Sequence, residues 1–137
     1  MIVDMEAIVR TYLDTVVIGA SVAGETPRNT SQAWVKVTQI GTRVIGNADV
    51  DHFHAYHIQL DCYASEGGPA GQVEAFDLYQ DVRAALVNLP GTTVAAHIST
   101  VRFTAALRLP DEAFEPPRQR YILDAHIYAG AYDGVPS

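Results

Sequence analysis

The chain has 137 residues, of which 48% are hydrophobic and 18% charged, and a formal net charge of −7. That length suits one domain with a modest core, and an acidic balance with Lys36 as the sole lysine argues against broad contact with nucleic-acid phosphates, which takes clustered Lys and Arg. The lone cysteine, Cys62, leaves no internal disulfide and no zinc spacing; no apolar run approaches the roughly 18 residues of a membrane span. Asp4 and Glu6 near the start do not read as a secretory leader, so the expectation is a soluble protein made in a cytoplasm.

The first element is a helix over residues 2–18, because Ile2, Met5, Ile8, Val9, Tyr12, Leu13 and Val16 recur at spacings of three and four. Asp4 is placed to cap it. Residues 19–32 are a loop by composition. Ala33 to Ile40 reads as a strand with Trp34, Lys36, Thr38 and Ile40 on one side and Ala33, Val35, Val37 and Gln39 on the other. Neither side is cleanly apolar, which suits an edge strand or one touching a neighbouring subunit. Gly41 to Asp51 reads as a long polar loop, making a hairpin with the strand that follows. That strand, His52 to Ala64, alternates with period two. Glu66-Gly67-Gly68-Pro69 is a turn with a helix start built in, and from Gln72 apolar residues return at helical spacing until Pro90-Gly91 stops the helix. Thr92 to Leu109 is β-rich, but its alternation shifts after Thr100, which predicts a bulge there. Prolines make residues 110–117 a rigid connector. Arg118 to Ala129 is the last strand, with Tyr121, Leu123, Ala125, Ile127 and Ala129 towards the core. Residues 130–137 are expected to be a frayed tail. The expected fold is α+β: one domain over residues 1–137, a two-layer sandwich of an about four-stranded, mostly antiparallel sheet with two helices on one face. The other face would carry Tyr, His, Gln and Arg side chains and must be solvated or paired with another subunit.

Little in this pattern points to catalysis. Ser21, Ser31, Ser65 and Ser99 lack the glycine-flanked elbow of a nucleophile, and Cys62 reads as a small buried hydrophobe. Residues 19–24 have neither the lysine nor the glycine spacing of a phosphate cradle. Gly46, His52 and His54 do match the opening of the cupin metal motif, and histidines two apart on a strand point the same way. Gln59 stands where that motif has glutamate, and no second motif follows. A small cupin-like metal enzyme using His52 and His54 is therefore the alternative from a different class.

The ordered set of elements resembles the tail-terminator, or tail-completion, proteins of long-tailed bacteriophages. An N-terminal helix leads through Pro27-Arg28 to the strand Trp34–Gly41. The strand Tyr56–Ala64 runs into a helix with Ala75, Leu78, Val82-Arg83 and Ala85-Leu86. Leu109-Pro110-Asp111 precedes the strand Arg120–Tyr128. The resemblance implies a structural virion protein without enzymatic activity or cofactor, assembled in the host cytoplasm. It implies a homo-oligomeric ring, a hexamer in this family, that caps the tail tube, halts its polymerisation and meets the head connector. The implied partners are other copies of the chain, the major tail tube protein and a head connector or neck protein. DNA would pass through the lumen unbound, eased by acidic groups. A head-closure or neck protein of the same particle is the nearer alternative. Candidate contacts to a subunit or the tube are Trp34, Lys36 and Thr38 on the mixed strand, Arg43 in the loop after it, and Arg118 and Arg120 on the last strand.

Overall fold

The computed structural model runs α1 (Met5–Val16), β1 (Ser21–Ala23), β2 (Trp34–Val44), β3 (Phe53–Tyr63), α2 (Gly68–Val87), β4 (Ala96–Arg108) and β5 (Arg120–Ala131). It describes residues 4–17, 19–26, 32–44, 53–91, 96–114 and 117–131. Asp4 caps α1 as its position suggested: its carboxylate accepts the Ala7 N–H at 3.0 Å, which satisfies one of the donors a helix start leaves open. Met5, Val9 and Leu13 form the buried stripe of α1. The second helix begins at Gly68, a turn before the first apolar repeat. Gly68 takes φ 72, a left-handed conformation suited to glycine, and Pro69 occupies the first turn, where its missing N–H is no loss. Gly71, Ala75, Leu78, Val82 and Leu86 are the buried side of α2.

The sheet has five strands in the order β1-β2-β3-β5-β4. β1 lies parallel to β2, and every other pairing is antiparallel. The additional strand is β1, three residues inside what composition marks as loop; so short a run has no periodicity to detect. β2 continues to Val44 rather than ending at Ile40, because a bulge between Gln39 and Gly41 absorbs one residue and pairing resumes. The remainder of the expected loop, residues 45–51, lies outside the described residues. β4 shows the expected irregularity between Ile98 and Thr100, and a second between Phe103 and Ala105. Gly130 and Ala131 still pair with His97 and Ala96, so the last strand outruns its expected end; residues 132–137 lie outside the described residues.

Both helices lie on one side of this sheet. The core joins Met5, Val9 and Leu13 of α1 and Leu78, Val82 and Leu86 of α2 to Val35, Val37, Ile58, Leu60, Cys62, Leu123, Ala125 and Ile127. Full burial of each Leu or Ile here contributes about 1.5–3 kcal/mol relative to exposure. The helices are tied to each other by the Tyr12 hydroxyl, which donates to the Ala85 carbonyl at 2.7 Å, and burial holds that phenol above its ordinary pKa.

Candidate functional site

Directly opposed residues of an antiparallel pair project from the same face, so the register maps the side that no helix covers. Five rows cross it. Trp34, Tyr63 and Arg120 form the first; Lys36, Asp61, Ile122 and Leu107 the second; Thr38, Gln59, Asp124 and Ala105 the third. Gly41, His57, His126 and Arg102 form the fourth, and Arg43, Ala55, Tyr128 and Thr100 the fifth. The bulges decide this membership. With an unbroken alternation Arg43 would follow Val35 and Val37 to the helix side; the extra residue at Ile40 turns it outward. The second bulge in β4 likewise puts Ala105 on the uncovered face, whereas an unbroken alternation would send it with Val101 and Phe103 to the helix side.

One end of the face is closed over by the chain itself. Trp34 is fully buried. It stacks on Tyr63 with ring centroids 4.3 Å apart, lies under Phe114 from the proline-bounded connector, and has the Arg118 guanidinium 5.3 Å from its ring centre. The connector is anchored by a two-residue bridge between Asp111 and Arg118, and Arg118 also donates to the Ala64 carbonyl at 3.1 Å. Arg120 lies against Asp61 and Asp111 at 3.8 and 3.7 Å and donates to the Tyr63 hydroxyl at 3.2 Å. Tyr63 in turn donates to Asp111 at 2.8 Å. Burial, with this bond to Asp111, pushes the Tyr63 pKa up to about 12. Burial would raise Asp111 as well, but the Ala113 N–H, the Tyr63 hydroxyl and Arg120 outweigh it and hold the carboxyl below its ordinary range. Three of the six expected contact residues, Trp34, Arg118 and Arg120, are therefore engaged within their own chain. Lys36, Thr38 and Arg43 share the more open part of the face.

The other end is different in character. His57 and His126 stack with centroids 4.5 Å apart and planes 10° from parallel. The His57 Nε2 lies 3.2 Å from the Asp124 carboxylate. Burial, then the neighbouring His57 and Arg43, lower the His126 pKa, with Arg102 acting in the same direction and Asp124 against it. Arg43 and Arg102 are exposed, and neither makes an ion pair with a described residue. Sequence reasoning found neither the histidine pair nor Arg102. Each histidine does sit on the polar parity of its strand, but only the register brings them together.

Among the described residues no group of three or more His, Cys, Asp or Glu side chains is placed to hold a metal ion. His54 is buried on the helix side, with its ring 5.8 Å from that of Tyr56; His52 and Gly46 lie outside the described residues. The sheet is open and helix-backed, with its strand order ending at β1 and β4, so it is not the closed barrel that the cupin alternative requires. Burial, reinforced by Asp61, pushes the Cys62 thiol well above its ordinary pKa, which suppresses the thiolate that a nucleophile needs. No described helix is long and apolar enough to cross a membrane.

No curated protein matches the chain. The model of a family described as "Tail completion protein gp17" matches residues 7–121, a span that runs from the first turn of α1 into β5.

Proposed function

From the premise that the chain belongs to the tail completion protein gp17 family, and so has a structural role in a phage tail, we propose that it is the tail terminator. In this reading copies of the chain close into a ring on the end of the tail tube, stop its growth and offer a surface to the head connector. The observation that carries the reading is the family match, which spans nearly all of α1, all of α2, the strands β1 to β4 and the first two residues of β5. The uncovered face supports it: a sheet with one apolar side under helices and one charged side lacking a helix layer is suited to contact with further protein. A hexamer, the number the family resemblance implies, is part of the proposal, as is a place at the junction of tail and head. Lys36, Thr38 and Arg43 are the proposed contact residues; Trp34, Arg118 and Arg120 hold the connector that borders them.

The test is polymerisation of the cognate major tail tube protein in the presence of the purified chain. Tubes of bounded length, each with a cap of density at one end in negative-stain images, are expected. Tubes that grow without limit and carry no cap would remove the proposal. The neck-protein alternative predicts uncapped tubes together with binding to the head connector alone.

A further inference from the structure

The fold separates its charges. On the uncovered face the fourth and fifth rows carry Arg43, Arg102, His57 and His126 and no acid, with Asp124 next to them in the third row. The opposite surface, the outer side of the helices, carries Asp14 on α1 and Asp77 and Asp81 on α2, all exposed. None of these three makes an ion pair with a described residue. Asp77 and Asp81 lie one turn apart, and Asp81 borders two shallow clefts beside α2, one towards Tyr12 and Val16 and one towards Ala20 and Ala33. Exposed Val16 and Val73 line these clefts beside the two aspartates.

We propose that the Arg43–Arg102 end of the uncovered sheet face docks the Asp77–Asp81 ridge of the next copy, head to tail. This rests on the ring reading above and supplies its missing interface. Two observations favour a second copy over other occupants. A face with surplus cations on one side of an acidic chain has its complement on the other side of the same chain, and two unlike patches repeated head to tail generate a ring where the rotation between copies closes and an open filament where it does not. The dimensions also agree. Arg43 and Arg102 stand on strands three spacings apart and in adjacent rows, about 14 Å across the sheet and about 7 Å along it, so about 16 Å separates them, and two arginine side chains reaching inward leave room for positions i and i+4 of a helix, about 6 Å apart. The stacked imidazoles form the floor between them. A face-to-face pairing of two sheets would instead bring like charges together, at a loss of affinity.

Charge reversal tests this by light scattering and sedimentation of the full chain from micromolar to millimolar concentration. The wild type is expected to assemble. Arg43→Glu with Arg102→Glu, and separately Asp77→Lys with Asp81→Lys, are expected to raise the concentration needed for assembly by at least about tenfold, a change of roughly 1.4 kcal/mol. All four substitutions in one chain reverse both surfaces and are expected to restore assembly. Gly41→Trp, which places bulk beside His57 where a Cβ meets nothing within 4 Å, should block assembly without changing charge. Melting temperatures near that of the wild type establish that each variant folds. A wild type that stays monomeric throughout, either double variant assembling as the wild type does, or a folded fourfold variant that stays monomeric overturns the interface. Duplex DNA retained by the wild type and lost in the double arginine variant would also overturn it and hand the face to nucleic acid. Capped tubes formed by both double variants would refute this interface while leaving the terminator proposal intact; uncapped tubes with the wild type would refute the terminator proposal itself.

Discussion

Gly71→Ala is the substitution whose effect the structure defines most sharply. Gly71 is buried in the first turns of α2, against the turn that enters it. A methyl group there would overlap the Glu66 carbonyl oxygen and lie 2.8 Å from its carbonyl carbon. Ordinary contact begins at 3.4 Å, so the approach to that carbon is about 0.6 Å too close, and the obstacle is backbone rather than the tip of a mobile side chain. Overpacking of this kind costs about 1–3 kcal/mol, and backbone as the obstacle places it near the upper end. Replacing a helix-interior glycine with alanine offsets about 1 kcal/mol of that. The net loss is about 2 kcal/mol, and at about 4 °C per kcal/mol for a chain of this length the melting temperature falls by about 8 °C. Differential scanning calorimetry against Gly41→Ala as control measures it, since a Cβ at Gly41 meets nothing within 4 Å and such open sites shift stability by no more than about 0.5 kcal/mol. An unchanged or raised melting temperature for Gly71→Ala would show that the 65–67 turn does not press on the helix as described.

His126 binds protons less readily in the fold than in the open chain, so the unfolded state takes up more protons and stability rises with pH across the range just below and around the ordinary histidine pKa of about 6.5. Melting temperature should therefore fall between pH 7.5 and pH 5.5, and fall less in His126→Gln; equal slopes for the two proteins would contradict the account. Tyr63→Phe removes the hydroxyl joining Arg120 to Asp111 and should destabilise by about 1 kcal/mol, a typical net hydrogen bond, read as a shift in denaturant midpoint with unchanged slope. Cys62, fully buried with a raised pKa, should resist Ellman's reagent in buffer at pH 8 and react at once in guanidinium chloride; rapid labelling of the native protein would mean that the core opens readily.

The elements that could be read from residues alone are those whose side chains face one consistent environment. β3 and β5 each place an apolar set under the helices at alternate positions, so their limits and inward faces were legible within a residue or two. The first helix was legible for the same reason, and Asp4 announced its start. β1 was not, because three residues cannot show a period and its pairing depends on Trp34–Lys36 lying beside it. The extension of β2 was hidden by its own bulge, which breaks the alternation that identifies a strand. Trp34 illustrates a deeper limit. Its parity grouped it with Lys36 and Thr38 without saying which side the helices cover; the register puts the three on the uncovered side, yet the burial of Trp34 comes from Phe114 and Arg118, residues about eighty positions later, and no local pattern carries that information. The histidine pair is equally non-local, since His57 and His126 meet only through the β3–β5 register.

The outer edge of β4 bears on the interval between synthesis and assembly. Among the described residues this strand bonds only to β5, so one row of backbone donors and acceptors stays available to any extended stranger. Such a row invites fibre growth if it is long, flat and greasy. Here two irregularities interrupt it, and Arg102 and Arg108 are exposed along it. The chain thus discourages indiscriminate stacking while it is still solitary, a safeguard useful to any subunit stockpiled ahead of its docking partner.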